Sequence, residues 1–157
     1  MTRARKGGKT PPADVKTDDF EEVRSLSRKQ VVDMLRRGES FEEADLRSAD
    51  LAGVCFDGLN LSNAKFAEAN LQRASFRGAN LTGASFWSAN LREASLEGAR
   101  LEETDFDYCN LDGVNFKDAK IRKATFPVKR LPLEMIQRSV RTGQRVKMEP
   151  LGHEDEE

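Results

Sequence analysis

The residue types that most often carry catalysis or bind metals are few in this chain, and their spacing brings none together. The only histidine is His153, and the only two cysteines are Cys55 and Cys109. No histidine, cysteine and carboxylate group has the spacing of a metal site, and no glycine-rich segment has the pattern of a phosphate loop. The sequence therefore predicts a protein that is not an enzyme, with no cofactor, no metal and no small-molecule substrate.

The side chains best suited to binding a partner are two aromatic residues and the carboxylates that follow them. Trp87 and Tyr108 are the only members of their types in the chain. Exposed Trp and Tyr are typical anchors of protein interfaces. We predict a partner-binding face that also contains Glu102, Glu103, Asp105 and Asp107. The alternative is that the two rings cover a corner of the fold or pack under a terminal segment.

A repeat of five residues must position these side chains, because an aliphatic or aromatic residue recurs at every fifth position from 41 to 126. Two places before the central residue stands an alanine in every repeat from position 64 to 99, with exceptions only near the ends, among them Val54, Leu59 and Val114. The central residues are Phe41, Leu46, Leu51, Phe56, Leu61, Phe66, Leu71, Phe76, Leu81, Phe86, Leu91, Leu96, Leu101, Phe106, Leu111, Phe116, Ile121 and Phe126.

A period of five fits neither a helix nor a strand. A five-residue step advances about 140° on an α-helix, at 100° per residue, and alternates between the faces of a strand. The chain must therefore turn at every repeat so that each central residue points to one axis. Gly58, Gly78 and Gly98 recur at 20-residue spacing, which predicts four sides per turn and about four and a half stacked coils.

The repeats Ala-Asn-Leu-Gln-Arg, Ala-Ser-Phe-Arg-Gly and Ala-Asn-Leu-Thr-Gly resemble the pentapeptide-repeat family. The resemblance covers residues 39 to about 128 and implies an all-β fold, a right-handed quadrilateral β-helix or solenoid. Some members of this family resemble duplex DNA in shape and charge, bind DNA gyrase and protect it from quinolones.

The segments on either side of the repeats are predicted to be short α-helical caps and tails. We divide the chain into a disordered basic tail at 1–17, an N-terminal helical cap at 18–38, the repeats at 39–128, a C-terminal helix and extended segment at 129–152 and an acidic tail at 153–157. Ser27 with Gln30 predicts a capping box and Gly38 a helix stop. A shorter helix around Phe20 and Val23 could precede it.

At the other end Pro127 interrupts the repeat pattern. Pro132 then suits the first turn of a helix that ends at Gly143, with Leu133, Ile136 and Val140 predicted on one apolar face. The segment from Arg145 to Leu151 alternates weakly and predicts either a short strand or an extended arm. This C-terminal segment either caps its own coil, which we prefer, or mediates a homodimer.

Charge and composition favour a protein partner and do not predict a nucleic-acid one. The net charge is −1, and the repeats from 41 to 126 hold ten Lys and Arg against fourteen Asp and Glu. No apolar run reaches the length of a membrane span. The basic N-terminal residues lead into no apolar segment, so no secretory signal is predicted. Two cysteines, one predicted outside and one inside the coil, form no bridge, which favours the reducing cytoplasm.

These observations predict a non-catalytic interaction or scaffold module that presents a rigid β-helical surface to a protein partner. One alternative is a DNA-mimicking, gyrase-binding protein of the quinolone-protection type, suggested by the family resemblance alone. A second alternative is a structural component of a larger assembly, with the two ends as docking elements.

Overall fold

The computed structural model describes residues 25–150. The predicted basic tail at 1–17, the short helix around Phe20 and Val23, and the acidic tail with His153 lie outside this range. In the part that is described, no helix is long and apolar enough to cross a membrane.

The repeats form a continuous coil in which residues 20 positions apart lie side by side. Thirteen parallel bridges join such pairs, from Asp45 with Lys65 to Asp105 with Thr125. Backbone hydrogen bonds are donated in both directions between neighbouring coils. The Leu46 N–H donates to the Lys65 carbonyl (2.7 Å), and the Lys65 N–H donates to the Ala44 carbonyl (2.9 Å). Four five-residue sides therefore make one turn, as the glycine spacing predicts. Each side contributes a single bridge and not an extended strand.

A tight turn closes every side of the coil. The Ala44 N–H donates to the Phe41 carbonyl at 3.0 Å, and Glu43 between them has φ 61°. Positive φ at the third residue of a turn defines type II and favours glycine. Yet the residue two places after the central one has positive φ at every repeat from 41 to 121, in eleven cases without being glycine, Tyr108 (φ 62°) among them. The repeated backbone ladder holds the chain in this less favoured conformation.

The central residues fill the axis of the coil. Phe66 and Phe86 stack with ring centroids 4.7 Å apart, and Phe86 and Phe106 follow at 5.2 Å. Phe76 meets Phe86 edge-on at 5.7 Å. The alanines two places earlier are buried from Ala64 to Ala99, because four large side chains in each layer leave little room beside them. Of the eighteen central positions, Ile121 alone is half-buried.

The N-terminal helix α1, Arg28–Arg37, lies against the first coil. Its capping box of Ser27 and Gln30 and its stop at Gly38 (φ 68°) are as the sequence predicts. Val31 is its buried residue. The Arg28 guanidinium donates to the carbonyls of Asp50 (3.1 Å) and Ala52 (3.0 Å). The first coil has no coil below it to donate hydrogen bonds to these carbonyls, and the Arg28 guanidinium supplies those bonds instead.

At the C-terminal end the regular coil stops at Pro127, as the sequence predicts, since the repeating turns end at Thr125 and Phe126. Leu131 and Ile136 stand five and ten places after Phe126, and both are fully buried. The five-residue spacing of buried residues therefore continues for two positions although the backbone has changed from coil to turn and helix.

Helix α2, Leu133–Thr142, ends at Gly143 as predicted, but its buried face differs from the prediction. Leu133 is 46% exposed, and Ser139 is buried in its place. The reason is a backbone requirement of the last coil: the Ser139 hydroxyl accepts a hydrogen bond from the Phe116 N–H (3.0 Å). An apolar residue at 139 would leave that buried donor without a partner.

The segment after α2 runs along the last coil in an extended conformation. The Val146 carbonyl accepts from the Gly113 N–H (2.8 Å), and its own N–H donates to the Val114 carbonyl (3.0 Å). Val146 and Met148 are buried, which follows the weak alternation in the sequence.

Candidate partner-binding face

Trp87 and Tyr108 lie together on the outside of the coil, as the stacking of repeats predicts. Their ring centroids are 5.8 Å apart and their planes meet at 68°. Trp87 is 43% exposed and Tyr108 76%, so neither ring is buried under a terminal segment. Both follow stacked Phe residues of one side, in successive coils. They form an edge-to-face pair that presents apolar area to solvent.

The backbone ladder positions this pair. The Trp87 carbonyl accepts from the Glu68 N–H one coil below (2.9 Å), and the Ser88 N–H donates to the Asp107 carbonyl one coil above (3.0 Å). The backbone around Trp87 is thus bonded to the coils on both sides, and Asp107, next to Tyr108 in the chain, is bonded to the coil below. The Trp87 side chain is therefore presented from a fixed backbone.

The four candidate carboxylates have different roles in the structure. Asp105 accepts hydrogen bonds from the Asp107 N–H (2.8 Å) and the Thr125 hydroxyl (3.1 Å). One of its carboxylate oxygens is therefore already bonded within the coil. Glu102 lies 3.7 Å from the Arg100 guanidinium, and its inner oxygen is buried without a hydrogen bond. Asp107 and Glu103 form no ion pair with any residue between 25 and 150.

Other carboxylates of the coil are neutralised by arginines one coil below. Arg73 pairs with Glu93 (3.0 Å) and Arg77 with Glu97 (2.8 Å); Arg92 lies 3.9 Å from Asp112. These pairs belong to the sides of Leu91 and Leu96 and not to the side of Phe86 that carries Trp87. The unpaired acidic surface is therefore narrower than the sequence indicates, and it includes Asp107, the neighbour of Tyr108 in the chain.

The remaining reactive groups do not assemble into a site. Cys55 is exposed and Cys109 buried, and both are free thiols. Burial raises the pKa of the Cys109 thiol, which donates to the Phe86 carbonyl (2.7 Å). Across residues 25–150, no three His, Cys, Asp or Glu side chains are placed to hold a metal ion.

A second charged region stands out only when the C-terminal segment is placed on the coil. Ten Lys and Arg fall between 113 and 150, against three Asp and Glu, and none of the ten pairs with a carboxylate within the described chain. They are Lys117, Lys120, Arg122, Lys123, Lys129, Arg130, Arg138, Arg141, Arg145 and Lys147. The first six already form a basic end in the sequence. The other four join them only because the C-terminal segment packs on the last coil, and in the sequence their charge is balanced by the acidic residues of 127–157.

Comparisons with known proteins agree with the coil. A family profile described as pentapeptide repeats matches residues 37–63, 60–98 and 94–126, in eight copies. Comparison with curated proteins gives no match.

Among solved structures, a pentapeptide repeat protein from Nostoc PCC 7120 is 30% identical, with a TM-score of 0.58, over 68% of this chain and 93% of its own. One from the Arabidopsis thaliana thylakoid lumen is 40% identical, with a TM-score of 0.51, over 52% of this chain and 56% of its own, so only about half of that protein is matched. A third, from the cyanobacterium Cyanothece 51142, is 32% identical, with a TM-score of 0.44, over 53% of this chain and 60% of its own. The Nostoc and Arabidopsis structures imply a right-handed β-helix, and the profile match shows that the chain belongs to the pentapeptide repeat family.

Proposed function

We propose that this protein is a non-catalytic interaction module that binds a protein partner through the face made by Trp87, Tyr108 and the carboxylates beside them. The observation that supports the proposal most directly is the aromatic pair itself, in contact at 5.8 Å and exposed. Burying such rings against a partner removes apolar area from water at roughly 25 cal/mol per Å².

The chemistry of this face favours a basic segment as the partner. Asp107 and Glu103 carry charges that no described cation neutralises, while the face of an indole ring attracts an ammonium or guanidinium group. Asp105 adds a third carboxylate to the same coil. A lysine or arginine of the partner would therefore meet a ring and a carboxylate together. Because the backbone around Trp87 is already bonded to both neighbouring coils, binding should require little reorganisation there.

Affinity purification of the tagged full chain tests the proposal. The double variant Trp87→Ala with Tyr108→Ala should lose the partners that mass spectrometry identifies with the unchanged protein. Val128→Ala with Leu133→Ala is the matched control, because these are also exposed apolar residues, 59% and 46% accessible, but lie at the C-terminal end. If the aromatic variant retains every partner, or the control loses the same ones, this face is not the binding site.

The Asp107→Asn variant separates the electrostatic part of the proposal from the aromatic part. It should weaken binding and reduce its dependence on salt, since an exposed charge pair is screened within about 8 Å at physiological ionic strength. If Asp107→Asn leaves binding unchanged at every salt concentration, the partner does not bind through a basic segment. The proposed contact with the two aromatic rings would not be affected by that result.

We propose further that α1 and residues 129–150 are caps that pack on the two ends of their own coil, the second covering part of the last coil, and that they do not join two chains. The contacts of Arg28, Ser139 and Val146 with their own coil support this role. A monomer in light scattering would agree with it, and a stable dimer would favour the assembly component.

The DNA-mimicking alternative gains no support from the charge, because the C-terminal end is basic. For its location we propose the cytoplasm, because both cysteines are free thiols and a reducing compartment keeps thiols free. The Arabidopsis protein comes from the thylakoid lumen. Fractionation of the native cell would decide between such compartments.

A further inference from the structure

The backbone ladder leaves one edge of the last coil open. Within the coil, each side donates two N–H groups to the coil above, from the central residue and from the residue two places later. On the side of Leu101 these donors reach the carbonyls of Lys120 (2.7 Å) and Arg122 (3.0 Å). The last coil has no further coil above it, so its donors need other acceptors.

Two of the four sides of the last coil obtain such acceptors from the C-terminal segment. The Gly113 N–H donates to the Val146 carbonyl, the Phe116 N–H to the Ser139 hydroxyl and the Asp118 N–H to the Val140 carbonyl (2.9 Å). The next two sides differ. The N–H groups of Ile121, Lys123 and Phe126 donate to no acceptor between residues 25 and 150.

Side-chain burial confirms that this edge is uncovered. Ile121 and Ala124 are half-buried, whereas Leu101 and Thr104, one coil below, are fully buried. We call residues 119–126 the open edge. It presents unpaired strand-like backbone and partly exposed core on two adjoining sides.

The surroundings of the open edge are basic. Lys120, Arg122 and Lys123 belong to it, and Lys129 and Arg130 follow directly. None of them pairs with a carboxylate of the described part of the chain. An extended segment that carries carboxylates fits both features, because its backbone can pair with the edge while its side chains neutralise the cations.

We propose that the open edge is a docking site for an extended acidic segment, and that residues 151–157 of this chain are its occupant. The described chain leads to the place: the Glu149 N–H donates to the Arg130 carbonyl (2.8 Å), and the Arg130 guanidinium donates to the Glu149 carbonyl (3.0 Å). Residues 151–157 read Leu-Gly-His-Glu-Asp-Glu-Glu and hold four carboxylates. Seven residues reach roughly 23 Å when extended, and one five-residue side is at most about 16 Å long.

Amide hydrogen exchange of the full chain tests this docking directly. The N–H groups of Ile121, Lys123 and Phe126 should exchange at least about fivefold more slowly in the full chain than in a chain that stops at Pro150, the factor for roughly 1 kcal/mol per hydrogen bond. The N–H groups of Leu101 and Glu103 are internal references, because their bonds within the coil are the same in both proteins.

Charge-neutral variants of the full chain separate docking from any loss of stability on truncation. The four changes Glu154→Gln, Asp155→Asn, Glu156→Gln and Glu157→Gln should speed exchange at the open edge as truncation does. Glu42→Gln with Glu43→Gln, at the opposite end of the coil, should leave it unchanged. Equal exchange in the full and shortened chains would overturn the proposal. Protection that rises with protein concentration would also overturn it, since a second copy would then be the occupant. Neither test involves Trp87 or Tyr108, so this inference stands or falls apart from the proposed function.

Discussion

Replacing Phe86 by alanine should remove a large part of the stability of the coil. Phe86 is fully buried and contacts three other rings: it stacks with Phe66 and Phe106, with planes 3° and 5° apart, and meets Phe76 edge-on. The change deletes a ring from the middle of a column that continues above and below it. The coils on both sides are held by backbone bonds, so neighbouring side chains have little freedom to collapse into the space.

The magnitude follows from the burial and the number of contacts. A buried Phe→Ala change costs about 3–5 kcal/mol, depending on how far the site relaxes. Each aromatic pair contributes about 0.5–1.5 kcal/mol beyond area burial, and three such pairs are lost, so the upper half of that range is expected. Phe126→Ala is the matched control, because Phe126 is 7% exposed, lies in the last layer and has two ring partners.

Urea unfolding followed by circular dichroism and by the fluorescence of Trp87, the only tryptophan, measures both variants. Phe86→Ala should lower the free energy of unfolding by about 4–5 kcal/mol, and Phe126→Ala by roughly 2–3 kcal/mol, because the outer layer can fray on its own. A loss at Phe86 no larger than the loss at Phe126 would refute the reasoning that a continuous, rigid column carries the stability.

Three further results follow from individual contacts. Burial acts to raise the pKa of Asp57, but its hydrogen bonds, the Ser75 hydroxyl among them, lower it overall. The stability that this carboxylate contributes is therefore present above its ordinary pKa of 3.8 and is lost as the pH falls below it, so Asp57→Asn should flatten the acid unfolding curve; an unchanged curve would contradict this. A thiol reagent should modify Cys55 alone in the folded protein and Cys109 only after unfolding, and reaction of both in the native state would show that the core opens. Ser27→Ala should cost about 0.5–2 kcal/mol through loss of the capping box, measured by urea unfolding, and an unaffected midpoint would mean that α1 contributes nothing to global stability.

The coil could be predicted from the sequence because its period admits only one arrangement. A five-residue repeat scatters its apolar side chains on a helix and splits them between the faces of a strand, so the chain must turn at every repeat. The contact of Trp87 with Tyr108 follows from the same arithmetic, since stacking at 20 residues brings positions 87 and 107 together and places 108 next to them. The ends were harder to predict. Leu131 stands at the five-residue spacing, but Pro127 precedes it and marks the end of the repeats in the sequence. Ser139 is buried because its hydroxyl accepts the Phe116 N–H, which no apolar pattern reveals.

The open edge shows why sequence alone does not locate every surface of a repeat protein. The repeats around Leu101 and Ile121 have similar composition, with an apolar centre and charged residues on either side. Only the first has a coil above it, so identical N–H groups are bonded in one repeat and without a described acceptor in the other. The difference depends on which sides the C-terminal segment covers, and hydrogen bonds of Ser139, Val140 and Val146 hold that segment on two sides alone. The hydrophobic repeat thus determines the coil. Where another segment can be added depends on which backbone N–H groups of the last coil lack an acceptor.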